Sequence, residues 1–307
     1  MTEREAAEMA AAGLAPVDLA APDHAARRPA AGRAAGRRAA LPASGRRARH
    51  RAPAGLVPLA ALAVAFLALP LVAVAVRTPW GALAEELAAP GVLAALRLSL
   101  VCSLGALALS FFLGLPLAWV LARVPFRGRR IVRALVILPM VLPPVVGGVA
   151  LLLAYGRQGI VGHLLEQALG ITLPFTTAGV IVAEAFVGMP FFVVTVEAGL
   201  RAMDGRYEEA AASLGAGRWT TFRRVTLPLL APSLGAGAAL CWARALGEFG
   251  ATITFAGNLP GSTQTMPLAV YLALQTDTTT AVALSAVMLA ISLTVLVVLR
   301  DRWFRLP

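Results

Sequence analysis

Arg244, Glu248 and Thr252 stand four residues apart in an otherwise apolar stretch, so a helix there would align a cation, a carboxylate and a hydroxyl on one face. Ionisable groups are costly to desolvate, and in a lipid-embedded helix they face protein or water. The row has two readings: the lining of a polar pathway, in which Gly247 and Phe249 would take part, or an Arg244–Glu248 ion pair that only holds helices together. Beside it, Gly235, Ala239, Ala243, Gly247 and Ala251 recur at the same step. Small residues spaced in this way let a second backbone approach closely. Upstream, Pro139, Pro143 and Pro144, then Gly147 and Gly148, interrupt another apolar stretch. Each interior proline removes a helix hydrogen bond, so this segment is expected to be kinked or broken, either beside a pathway or as a packed kink.

Other chemistries find no support in the residues. His24, His50 and His163 lie outside the apolar runs, and no nucleophile–base set or metal cluster emerges. Cys102 and Cys241 fall inside apolar runs without metal-ligand spacing and read as small core residues. All 27 basic residues are arginine. A phosphate-binding P-loop needs a lysine, so this chain is not expected to hydrolyse ATP by that route or to bind a cofactor of its own.

These residues must be positioned by elements whose solvent is lipid, because 59% of the 307 residues are hydrophobic and only 14% are charged. A span needs about 20 apolar residues to cross ~30 Å of hydrocarbon. Six runs qualify, at 56–76, 98–122, 132–155, 178–200, 233–255 and 279–299. Helices are the expected form, giving an all-α membrane protein. The net charge of +11 has to be read by location. The arginines flank hydrophobic stretches, which speaks for membrane orientation and against nucleic acid. Ten lie before the first span, five between Arg123 and Arg133, five between Arg201 and Arg224, and three from Arg300 to Arg305. These fall on one side, which the positive-inside rule makes cytoplasmic together with both termini. Arg77, Arg97 and Arg157 are left outside. Residues 1–53, rich in Ala, Arg, Pro and Gly, read as a disordered cytoplasmic tail. The tail's paired arginines also admit an export signal or a lipid contact. The remaining divisions are a first helix with an external segment (54–90), a transmembrane domain (91–300) and a short C-terminus (301–307).

Between the fourth and fifth runs, residues 201–230 are too polar to span and too patterned for a plain linker. Asp204 can cap a helix whose early Glu208 and Glu209 suit the positive dipole end, with Ala210, Ala211 and Leu214 on one face. Gly215 and Gly217 break it. A second short helix carries Trp219, Phe222 and Val225 at three-residue steps and is expected to close at Pro228.

The pattern Glu209-Ala210-Ala211, Gly215, Val225, Leu227-Pro228 resembles the coupling loop of bacterial binding-protein-dependent ABC importer permeases, with Val225 where isoleucine is usual. The stretch from Ala243 to Asn258, and the following Pro260 to Tyr271, resembles molybdate permease subunits; sulfate permeases look similar but usually carry tyrosine at the position of Phe249. The resemblance implies a type I, MetI-like permease fold and no catalytic residue. It implies a loop that docks on a separate ATPase subunit holding ATP and Mg2+, and a periplasmic or extracellular oxyanion-binding protein as a further partner. A second permease copy would let two ATPases engage symmetrically. Asn258, Ser262, Thr263, Gln264 and Thr265 are then candidates at an external mouth, where hydroxyls and amides can satisfy an oxyanion. Sulfate, thiosulfate and tungstate stand as alternative cargoes. A secondary transporter would leave the loop unexplained and would favour paired repeats, which the sequence lacks.

Overall fold

The computed structural model describes residues 56–303; the expected tail and the last four residues lie outside the described residues. Every regular element among the described residues is helical. Helix α1 (Leu56–Arg77) is apolar on all sides and buries none of its residues within the chain, as befits a helix surrounded by lipid or another protein. A short α2 (Leu83–Ala88) leads into α3 (Pro90–Arg123), whose 34 residues run about 50 Å, well beyond the hydrocarbon thickness. There follow α4 (Arg129–Val141), α5 (Pro144–Tyr155), α6 (Gly162–Leu169) and α7 (Thr177–Ala202). The chain continues with α8 (Arg206–Ser213), α9 (Arg218–Thr221), a π-turn (Phe222–Thr226) and α10 (Leu227–Leu246). It closes with α11 (Gly250–Phe255), α12 (Met266–Thr276) and α13 (Thr278–Trp303).

Helix α7 is the centre of the packing, lying against both α3 and α10. The Thr176 hydroxyl opens it by accepting the Gly179 N–H at 3.1 Å. Its Phe192, Val193, Val196 and Leu200 join Ala118 and Leu121 of α3 and Leu230 and Cys241 of α10 in one apolar cluster. The approach of α10 is close: a side chain at Gly188 would meet the Cys241 carbonyl at 3.0 Å, and one at Gly237 would meet the Phe192 carbonyl at 3.2 Å. The small row at this contact is therefore Ser233, Gly237, Cys241 and Ala245. Of the expected row, Ala239 and Ala251 are buried, whereas Gly235 meets open space and Ala243 and Gly247 are exposed. Serine and cysteine are small enough to serve in place of glycine, which is why the operative row differs from the Gly/Ala one.

Among the described residues, five helices are long and apolar enough to cross a membrane; four of them cover expected spans, with α3 starting eight residues earlier than expected. The third expected span is broken, into α4 and α5, at residues 142–143, where the adjacent Pro143 and Pro144 deny the helix two N–H donors. The fifth departs from expectation at both ends. Its helix starts upstream in the polar loop and stops at Leu246, and α11 begins only after a break at 247–249. The last helix continues past the expected end to Trp303.

The two breaks lie against each other. A Cβ added to Gly250 would stand 2.6 Å from the Pro144 Cβ, and one added to Gly148 would stand 2.5 Å from the Thr254 Cβ and 3.0 Å from the Ala251 carbonyl. Gly250→Ala should therefore lower the unfolding midpoint of detergent-purified protein, since overpacking costs about 1–3 kcal/mol. Gly235→Ala, with open space around it and the usual gain of alanine in a helix, should hold or raise the midpoint. Equal midpoints for the two would contradict the contact between the breaks.

Candidate functional site

The chemistry expected of Arg244, Glu248 and Thr252 is reorganised by the break. Leu246 ends α10, Gly247 caps it, and the Glu248 N–H donates to the Ala245 carbonyl at 3.0 Å as the chain turns. Arg244 and Glu248 remain together, Nη2 to Oε2 at 2.6 Å, in a charge contact whose N–H direction misses the oxygen. The other oxygen, Oε1, accepts the Ala251 N–H at 2.8 Å and so caps the first turn of α11. Glu248 is 1% exposed while the Arg244 side chain is 31% exposed, so the carboxylate is enclosed and the guanidinium reaches outward. Thr252 does not continue the row. It is fully buried in α11, and its hydroxyl has no partner among the described residues. A helical row presupposes an unbroken helix, and Gly247 with Glu248 supplies the turn instead. Phe249 lies in that turn, its ring 5.0 Å from the ring of Tyr271 in α12.

The five residues expected at a mouth are mostly packed inside. Thr263, Gln264 and Thr265 are buried, and only Ser262 and Asn258 are partly open. The segment turns at Gly257 and Gly261, both at positive φ, and the Leu259 carbonyl accepts the N–H groups of Ser262, Thr263 and Gln264. The Thr263 hydroxyl accepts the Leu259 N–H at 2.9 Å. The segment is pinned to its neighbours by Thr177, whose hydroxyl donates to the Ser262 carbonyl at 2.9 Å, and by Ser99, whose hydroxyl accepts the Met266 N–H at 2.7 Å. Threonines in a loop are usually solvated; here Thr263 is used within the loop, which Ser99 and Thr177 hold against α3 and α7. The Asn258 Oδ1 and the Thr265 hydroxyl are left enclosed without a partner among the described residues.

In the polar loop, α8 forms as its residues dictate. Asp204 accepts the Arg206 N–H at 3.0 Å, one residue ahead of the cap position held by Gly205. The far end is a Schellman closure: Ala216 N–H to the Ala211 carbonyl and Gly215 N–H to the Ala212 carbonyl, both at 3.0 Å, with Gly215 at φ +80°. Glu209 and Ala210 face out and Ala211 is half-buried. Leu214 is 89% exposed and Trp219 70%, an apolar display outside the expected spans. Pro228 does not close the second helix. The Leu227 N–H reaches back five residues to the Phe222 carbonyl, and this widened turn accommodates the proline, which sits exposed in the first turn of α10. Val225 and Leu227 are half-buried beside it.

Residues 110–306 match the family described as binding-protein-dependent transport system inner membrane component. The chain belongs to this family. A molybdenum transport system permease protein of Mycobacterium tuberculosis is 46% identical over 229 residues, covering 75% of this chain and 86% of the relative. One from Escherichia coli is 41% identical over 209 residues, covering 68% and 91%. An Escherichia coli sulfate transport system permease protein is 40% identical over 218 residues, covering 71% and 78%. Among solved structures, a bacterial ABC transporter involved in alginate import aligns with TM-score 0.64 at 19% identity, over 81% of this chain and 92% of that one. This transport component therefore has the fold of ABC importer membrane subunits.

The sequence reading of this inner-membrane component missed its buried acids. Glu184 and Glu197 of α7 are both buried. Glu197 pairs with Arg133 of α4 and, at 2.8 Å, with Arg201. Glu184 is 1% exposed, and its Oε2 has no hydrogen-bond partner among the described residues. Their position inside the fourth apolar run was a usable signal, because acids there need a reason. Glu248→Ala removes the ion-pair partner of Arg244 together with a cap worth about 0.5–2 kcal/mol. Substrate uptake should fall further than in Leu240→Ala at equal membrane abundance. Comparable uptake by the two variants would show the break to be passive.

Proposed function

We propose that this chain is the permease subunit of an ATP-driven importer of molybdate. In this reading it works as a homodimer, with an ATPase subunit on each copy's polar loop and a binding protein delivering the anion from outside. ATP and Mg2+ are held by the ATPase. The feature that carries the coupling role is the outward display of Glu209, Ala210, Leu214 and Trp219 around the Gly215 closure, set on a loop continuous with the broken fifth pass. Small alanines beside a tight turn let another protein come close. Molybdate is favoured because the relatives of highest identity quoted above are described as molybdenum transport permeases. Sulfate is the second reading, favoured by the 40% identical sulfate permease. Tungstate shares molybdate's charge and nearly its size.

Both termini lie in the cytoplasm in this reading, on the weight of the one-sided arginines. Alternating access follows: ATP binding closes the ATPases, the loops move, and the pathway opens outward. A permease pathway need not bind its anion tightly, since it must release what it receives.

The test is transport by the assembled complex, with its ATPase and binding protein, in proteoliposomes. Radiolabelled molybdate should enter only with ATP, and excess sulfate should compete weakly. ATP-driven uptake of radiolabelled sulfate that excess molybdate inhibits only weakly would move the assignment to sulfate, and ATP-independent uptake would remove the importer reading. Orientation is tested separately by single cysteines: those replacing Gly128 and Gly217 should label from the cytoplasm, and those replacing the exposed Gln158 and Gly261 from outside. The opposite pattern would invert the topology.

A further inference from the structure

The two adjacent acids of α8 have different environments. Glu209 faces out, whereas Glu208 turns toward the chain's own helices, with 24% of its side chain exposed. Its Oε1 accepts a hydrogen bond from the Thr226 hydroxyl at 2.9 Å and lies 3.4 Å from Nη2 of Arg123. Thr226 is fully buried and is the last residue of the π-turn; Arg123 is the last residue of α3. One carboxylate oxygen thus joins α8, the end of α3 and the start of α10.

Two details make this junction more than a surface pair. A threonine in a helix usually turns its hydroxyl to a carbonyl one turn back. Thr195 does so to Phe191 and Ser285 to Ala281, but Thr226 donates across 18 residues to Glu208. The end of α3 is also held from the other side. Arg201 of α7 donates to the Leu121 carbonyl and Arg129 of α4 to the Ala122 carbonyl, each at 3.3 Å. Guanidinium groups thereby satisfy carbonyls that a helix end leaves open. The α3 terminus is a fixed abutment, and α8 reaches it through Glu208. The π-turn is the compliant part, since its longer hydrogen bonds close a wider ring than those of an α-helix. Aromatic contacts brace it: the Phe222 ring lies 5.2 Å from that of Trp119 in α3 and 5.6 Å from that of Trp219.

We propose that Glu208 is the positioning residue that transmits displacement of α8 to the pathway helix, through the Thr226 hydroxyl and the π-turn, with Arg123 as the fixed point. Glu209, one residue on, is left to the partner protein. The proposal rests on the reading that the loop receives an ATPase. A push on α8 has two outlets, the stationary end of α3 and the deformable start of α10, and it moves the second. The Glu208–Thr226 bond is therefore required for coupling rather than for docking.

The experiment uses the same reconstituted complex and measures molybdate imported per ATP hydrolysed. Thr226→Val keeps the side-chain shape and removes the donor; Thr226→Ser keeps the donor. Transport per ATP should fall by about three- to tenfold in Thr226→Val, the size of one lost hydrogen bond, while the ATPase subunit still co-purifies. Thr226→Ser should restore the ratio, which a merely structural role for the methyl group would not do. Glu208→Gln keeps the acceptor and removes the charge opposite Arg123, so its ratio should fall too, and it carries the test if Thr226→Val does not accumulate. An unaltered ratio in Thr226→Val or in Glu208→Gln would overturn the proposal. So would loss of the ATPase subunit from Glu208→Gln, which would place Glu208 on the docking face. If the unmodified complex shows no ATP-driven uptake, the importer reading itself fails, and the two failures are told apart.

Discussion

A peptide N–H or C=O without a partner in hydrocarbon costs several kcal/mol, and the irregular parts of this chain are arranged around that cost. At the first break, the Leu142 N–H still reaches the Leu138 carbonyl at 3.0 Å, and the Gly147 N–H reaches that of Pro143 at 3.1 Å. At the second, the Gly247 N–H binds the Ala243 carbonyl, and the Glu248 side chain takes the Ala251 N–H that α11 would otherwise leave free. Each break also covers the other, through Gly148 on Thr254 and Pro144 on Gly250. At these two breaks, non-helical backbone thus lies where a second segment closes over it. Glycine is needed at those two positions because any Cβ would separate the segments.

The same constraint is met differently at the helix ends. Arg129 and Arg201 belong to the one-sided charge pattern and also satisfy the last carbonyls of α3. Arg133 and Arg201 share Glu197, so this buried acid near the end of α7 is neutralised from two helices. A residue type selected for orientation therefore also fixes where α3, α4 and α7 meet. Polar loop and packed bundle are joined by charged side chains as well as by the aromatic contact of Phe222 with Trp119.

Much of this was legible in the sequence. The length of the apolar runs located the long helices, the tandem prolines announced the break between α4 and α5, and Gly215 announced the end of α8. The misreadings have two causes: periodicity extended through residues that end it, and tertiary neighbours that no local pattern records. Arg244, Glu248 and Thr252 fit a four-residue step only if Gly247 is helical, and here it is a cap. Pro228 signals a helix end until a π-turn makes room for it. The buried Thr263 and Thr265 have the composition of a solvated loop, and nothing local records that α3 and α7 fold against them. Glu208 differs from Glu209 only by its tertiary neighbours, which a one-dimensional pattern does not hold.

The π-turn has a geometric meaning beyond compliance. An α-helix advances about 100° of rotation per residue, so a turn that accommodates one extra residue resets the angular phase of everything after it. The face of α10 that meets α7, with Gly237, Cys241 and Ala245, is set by that offset and not by the phase at Trp219 and Phe222. The polar loop and the membrane helix are consequently indexed independently, although the chain between them is continuous helix. Two surfaces with unrelated requirements, one exposed and one packed on α7, can share a single helix because the junction between them absorbs the difference in angle.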